Sequence, residues 1–183
     1  MRRFASRLAG ALKTRAMPTR IVNERDFERR FVVPAAASGA KRGSGVHIYT
    51  HPFKSKRTCT PDCDTADHDG RRLGCPRCWR DSKKWASIAA FGTHHTFDLV
   101  AKDRSRKTLV VEVKVVGPDG GRMPNGPLQR FLGQCCPAAS KHDAVIGVCG
   151  LRGRLNPKWR RDTNAVIRWC RTRRVHLVFR KLR

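Results

Sequence analysis

The sequence is short of acid. Fourteen Asp and Glu stand against 40 Lys and Arg, a formal net charge of +26, and only three of the acids are glutamates: Glu24, Glu28 and Glu112. Neither an acidic protein surface nor a small metabolite calls for that much positive charge. A polyphosphate does, because neutralising phosphates releases their condensed counterions, so nucleic acid is the expected partner, DNA in the first place. Long apolar runs are missing too, which leaves no segment able to span a bilayer. No secretory signal with an apolar core is present, so the eight cysteines are expected as reduced thiols or metal ligands. The glycine-rich stretch from Gly117 to Gly126 carries neither the dinucleotide-binding glycines nor a phosphate-binding lysine motif, and reads as a loop that touches substrate. There is no internal repeat. Aromatic residues make up 7% and apolar residues 39% of the chain, enough to build one folded domain with a small insertion.

Half of the cysteines fall in that insertion, residues 56–80. Cys59 and Cys63 form one pair, and Cys75-Pro76-Arg77-Cys78 supplies a second eleven residues later. Two such pairs point to a tetrahedral zinc site. The stretch between them is rich in Asp and Gly with almost nothing apolar, so metal must supply its stability. One structural Zn²⁺ held by Cys59, Cys63, Cys75 and Cys78 is expected. Four protein ligands leave no position open for substrate. Disulfides are the alternative; His68 reads as a surface residue first and a substitute ligand second.

The segment Thr108–Gly117 reads as a strand dense in β-branched residues, stopped by Gly117-Pro118. Alternation puts Leu109, Val111, Val113 and Val115 on one face, and Val110, Glu112, Lys114 and Val116 on the other. Glu112 and Lys114 therefore sit in a strand apolar enough to be buried on both faces, where charge is costly unless paired or bound to metal. Upstream, Thr96–Ala101 reads as a second strand joined to the first through 102–107. A turn centred near Ser105 makes Asp98 the cross-strand neighbour of Glu112, roughly 5 Å away between Cβ atoms. Two carboxylates so close repel unless a cation lies between them. Their hard oxygens suit Mg²⁺ or Mn²⁺.

Asp98, a hairpin, then Glu112-Val113-Lys114 resembles the signature of the PD-(D/E)XK nucleases, the restriction-endonuclease-like superfamily. Phe97 stands where the family often has proline. The resemblance covers about residues 21 to 150. It implies an α/β fold with a restriction-endonuclease-like core, in the order αβββαβ, with a central mixed sheet flanked by helices. It also implies Mg²⁺ held by Asp98, Glu112 and the Val113 carbonyl, with Lys114 orienting or deprotonating the attacking water. An acid on the first core helix completes the metal site in several members. Glu24 matches best by its place before the apolar residues and Pro34, and Glu28 is the alternative. Ordinary acids favouring a helix N-terminus are the plainer reading of both.

Residues 1–20 carry six Arg or Lys and no acid, with Phe4, Leu8 and Leu12 at helical spacing. They read as a basic arm, a frayed tail or a mitochondrial-type targeting segment ahead of a domain at 21–183. Localisation follows: mitochondrial if that segment is a presequence, cytoplasm or nucleoid if the source is prokaryotic. A helix is expected over Ile21–Val33, capped by Asn23, stapled by Val22 onto Phe27 and ended by Pro34. Residues 37–45 read as a loop, and Val46–Thr50 as the first sheet strand. His94 and His95 stay outside the catalytic set, as histidines flanking a strand. A helix opens with Pro127 at its first position, and Asp143–Cys149 forms a buried strand. Residues 151–183 hold twelve Arg or Lys and one Asp, over a helix from Thr163 to Arg171 and an edge strand at Val175–Phe179. Arg160, Arg161, Arg168 and Arg171 are candidate nucleic-acid contacts. Gln134 joins them; it resembles the helix glutamine that some members carry near the metal, with Gln129 competing.

The expected activity is thus a metal-dependent nuclease acting alone, as a homodimer or within a larger restriction, transposition or defence assembly. The alternative is a non-catalytic zinc-containing nucleic-acid-binding or scaffold protein.

Overall fold

In a computed structural model of the chain, Thr108–Val116 is the middle strand of a five-stranded mixed sheet. Residues 1–40, 45–50, 80, 83–90, 93–117, 125–153 and 157–182 are described. The sheet strands are β1 (Val46–Thr50), β4 (Leu99–Asp103), β5 (Thr108–Val116), β6 (Ala144–Leu151) and β7 (Val175–Lys181), side by side in that order. β1, β4 and β5 run antiparallel, while β5, β6 and β7 are parallel. A separate two-stranded ribbon pairs β2 (Ile88–Ala90) with β3 (Thr93–His95). Parallel neighbours need crossovers; α4 (Asn125–Lys141) links β5 to β6, and α5 (Pro157–Arg171) links β6 to β7. The class is α/β, with helices on both faces of a mixed sheet.

The alternation of β5 divides the core in two. Leu109, Val111 and Val113 pack into one apolar cluster, with α1 (Arg2–Thr14), α2 (Glu24–Phe27) and α3 (Val33–Gly39). Val110 and Val116 belong to the other, which holds Phe131 and Cys135 of α4 and Cys170 of α5. Both faces of the strand are therefore covered, as its continuous run of β-branched residues implies.

Residues 1–20, read as an arm apart from the domain, supply one of the core helices. Phe4, Leu8 and Leu12 of α1 are at most 2% exposed, while Arg2, Arg3 and Arg7 face solvent. An amphipathic stripe needs an apolar surface, and the sheet offers one; each such side chain contributes about 1.5–3 kcal/mol by burial. Arg180 of β7 ties down the helix end by donating to the carbonyls of Lys13 and Arg15.

Three local expectations also change. Pro34 does not end the first core helix: the chain passes from α2 through a π-helical segment, Glu28–Val32, into α3 and continues to Gly39. The Val33 N–H reaches back to the Glu28 carbonyl, and this widened turn admits a proline ring that has no N–H to leave unpaired. Phe27 and Phe31 stack 5.3 Å apart across it. Val22 makes no staple, being 60% exposed, whereas the Asn23 side chain does accept the Asp26 N–H at 2.8 Å. The second hairpin strand begins at Leu99 rather than Thr96, after a bend at Asp98.

α4 lies close on the sheet because Gly147 has no side chain. A Cβ there would sit 2.6 Å from Phe131 Cζ, 2.8 Å from Leu177 Cδ2 and 2.9 Å from Cys135 Sγ. Gly147→Ala is expected to cost about 1–3 kcal/mol by overpacking, read as a lower denaturant midpoint at unchanged slope. A midpoint equal to wild type would show that α4 can lift without loss.

Cys59, Cys63, Cys75 and Cys78 lie outside the described residues, as does the loop at 118–124. The four described cysteines, Cys135, Cys136, Cys149 and Cys170, are free thiols. Among the described residues no helix is long and apolar enough to cross a membrane.

Candidate active site

The hairpin between β4 and β5 sets the site. Its turn spans Asp103 to Lys107, with the Arg106 N–H donating to the Asp103 carbonyl at 2.9 Å and Arg106 in the left-handed region at φ 62°. This closes the register at Leu99 opposite Val111 and Lys102 opposite Thr108. That register ends one residue short of Asp98 and Glu112, and Asp98 sits in a bend just before β4.

β4 stops at Leu99, however, while β5 runs on to Val116. Carboxylates take over the N–H groups that a longer β4 would have paired. Val113 N–H donates to Asp98 Oδ2 at 2.7 Å, and Val115 N–H donates to Glu24 Oε2 at 3.0 Å. Glu24 reaches the strand because the N-terminal approach to α2 is held in place: Asn23 caps the helix, and the Arg152 guanidinium donates to the carbonyls of Ile21 and Val22. The Lys114 ammonium then lies 3.1 Å from Glu24 Oε2. Glu112, on the α4 face of the same strand, has its Oε2 2.9 Å from His95 Nε2.

The charges of Glu112, Glu28 and Glu24 all act on Asp98. The Asp98 carboxyl is pushed up to about 8, chiefly by burial and next by the Glu112 charge, with smaller contributions from Glu28 and Glu24 against the Val113 hydrogen bond. Burial also raises Glu112, helped by Glu24 and opposed by His95 and Lys114. Of the two candidate helix acids, Glu24 bonds Lys114 and the β5 backbone, while the buried Glu28 weighs more on Asp98. Both belong to this acidic cluster.

Two positions carry lessons in opposite directions. His95, outside the catalytic set on sequence, touches Glu112; its place three residues before Asp98 is the only cue. Gln134, grouped with nucleic-acid contacts, has its Nε2 3.3 Å from His95 Nδ1, so it belongs to the interior of the site. Of the arginines proposed to meet nucleic acid, Arg161, Arg168 and Arg171 are exposed on α5, and the Arg160 side chain lies outside the description. Beside them Trp169 is 49% exposed, with the Arg173 guanidinium 4.0 Å over its ring.

Among the described residues no three His, Cys, Asp or Glu side chains already converge as a ready-made metal cluster. In kind, the donors fit a hard divalent cation: they are carboxylate oxygens whose mutual repulsion and burial make their full ionisation costly without added positive charge. Comparison with known proteins adds no family: no family model, curated protein or solved structure matches the chain.

Proposed function

We propose that this protein is a metal-dependent nuclease that hydrolyses phosphodiester bonds of nucleic acid, DNA first. The observation supporting it is the β4–β5 hairpin, whose register closes at Leu99 opposite Val111, one residue short of Asp98 and Glu112; the Glu112 charge acts on Asp98, and Lys114 follows Glu112 by two positions along β5. Asp98, Glu112 and the Val113 carbonyl would hold Mg²⁺ or Mn²⁺, with Glu24 or Glu28 completing the acidic set. Bound there, the ion would supply positive charge at the scissile phosphate and make a nearby water more acidic. Lys114 would orient that water or take its proton. Glu24 holds the ammonium toward the site until substrate competes for it. The net charge of +26 and the exposed arginines of α5 would grip the phosphate backbone without reading sequence. A restriction-endonuclease-like core and the four-cysteine zinc module of residues 56–80 are part of the same proposal.

The experiment is incubation of the protein with plasmid, single-stranded DNA, RNA and branched DNA, each with Mg²⁺, Mn²⁺ or EDTA. Cuts are expected with the metals and none with EDTA. Retention of nucleic acid on a gel with no cut on any substrate would turn the reading to a zinc-containing binding or scaffold protein. One observation favours that second reading: Asp98 and Glu24 already serve as partners for the β5 backbone N–H groups, and Glu24 pairs with Lys114. Metal analysis tests the insertion separately. One zinc per chain is expected, lost in Cys75→Ser; a zinc-free wild type would leave those cysteines to other chemistry.

A further inference from the structure

Beneath α4, Gln134, His95 and Glu112 form a polar chain. Gln134 Nε2 lies 3.3 Å from His95 Nδ1, and His95 Nε2 lies 2.9 Å from Glu112 Oε2. The three come from different elements, α4, β3 and β5, so no local sequence preference brings them together. With the Gln134 amide nitrogen toward the ring and Glu112 ionised, a neutral imidazole satisfies both contacts in one way. The Gln134 amide N–H donates to Nδ1, and the Nε2 proton donates to the Glu112 carboxylate. The imidazole is gripped on a third side by Phe97, edge-on at 4.9 Å between ring centres. Glu112 itself is almost fully enclosed, its side chain 7% exposed against 22% for His95.

We infer that His95, set by Gln134, is a positioning residue that fixes the Glu112 carboxylate for a divalent cation. This deepens the nuclease reading and rests on its metal site. A carboxylate has two oxygens and a freely turning terminal torsion. Tying Oε2 to the imidazole removes that freedom and leaves the other oxygen for the ion. Groups behind a metal ligand act in this way, and their loss typically costs 10–100-fold in metal affinity. His95 touches neither metal nor substrate in this role. Gln134 acts one step further back, by holding the ring with its Nε2 toward Glu112.

The test is Mn²⁺ binding by the full-length chain, measured calorimetrically, beside the Mn²⁺ concentration that gives half-maximal cleavage. His95→Ala is expected to weaken Mn²⁺ binding by about 10–100-fold and to raise the half-maximal concentration by the same factor, with a smaller loss of rate at saturating metal. His95→Gln, whose amide nitrogen can take the place of Nε2, is expected to recover most of the affinity. Gln134→Ala should weaken binding by a smaller factor. Unchanged Mn²⁺ affinity in a folded His95→Ala protein would overturn the role. So would equal losses in the alanine and glutamine variants, which would mark His95 as packing alone. Wild type that binds Mn²⁺ through Asp98 and Glu112 but cuts no substrate would sink the nuclease reading while leaving the positioning role intact. Wild type that binds no Mn²⁺ would sink both.

Discussion

Asp98→Asn is expected to abolish cleavage and to stabilise the metal-free protein at the same time. Activity should fall by at least about 10³-fold, since a divalent ion's contribution to charge neutralisation is worth several kcal/mol. The fold should survive, because the asparagine carbonyl oxygen can accept the Val113 N–H that Asp98 Oδ2 accepts at 2.7 Å. Stability should rise because the wild-type carboxyl, pushed to about 8 by burial and the Glu112 charge, is costly to ionise. The sign follows from proton counting. Between about pH 4, where the unfolded aspartate ionises, and about pH 8, the folded state keeps a proton that the unfolded state has lost. Wild-type stability therefore declines as pH rises through that window, and is fullest below it. Asp98→Asn should flatten that decline, with a gain on the order of 2–4 kcal/mol at pH 8 and a melting temperature higher by roughly 5–10 °C. Added Mn²⁺ should stabilise wild type most at the alkaline end and the variant hardly at all. Melting curves at pH 5 and pH 8, with Mn²⁺ or EDTA, check each part. If the variant cleaves like wild type, the proposed metal site is wrong. If it melts lower at pH 8, the picture of strained carboxylates is wrong.

Lys114→Met separates chemistry from architecture in the opposite way. Its partner Glu24 is 41% exposed and Lys114 itself 31%, and a pair so open to water is worth at most about 1 kcal/mol. Removing it should leave the melting temperature nearly unchanged. Single-turnover cleavage at saturating Mn²⁺, by contrast, should drop by about 10²–10⁴-fold, the usual scale for losing a positioned proton-transfer group. Lys114→Arg should not restore it, because a planar guanidinium does not place one compact charge where the ammonium stood. Wild-type rates in Lys114→Met would reduce the Glu24–Lys114 pair to a surface contact.

Much of this geometry is legible in the residues around β5. The alternation of Leu109, Val111 and Val113 against Val110 and Val116 predicts a strand buried on both faces, and the two core clusters divide along that line. The charged turn around Ser105 predicts the hairpin register, which closes with Leu99 opposite Val111 and Lys102 opposite Thr108. Those inferences succeed because strand alternation and hairpin closure depend on a few consecutive residues. His95 escapes such a reading for the opposite reason. Its partners are 17 and 39 positions away, and nothing in its own neighbourhood marks them. The same holds for α1, whose basic, sparsely apolar sequence reads as a tail until the sheet face that receives Phe4, Leu8 and Leu12 is in view.

Composition and periodicity alone determined the strand that carries Glu112 and Lys114 and the positive charge that makes nucleic acid the expected partner; the α/β class was implied by the resemblance those residues carry. Tertiary structure decided the rest: that β4 stops short, so that Asp98 and Glu24 rather than a neighbouring strand satisfy the N–H groups of Val113 and Val115; that Gly147 lets α4 descend to bring Gln134 to His95; and that the acids gather where burial raises Asp98 and Glu112. The division has one physical cause. Local pattern is written in covalent order, whereas the cost of a buried charge depends on which distant groups packing brings beside it.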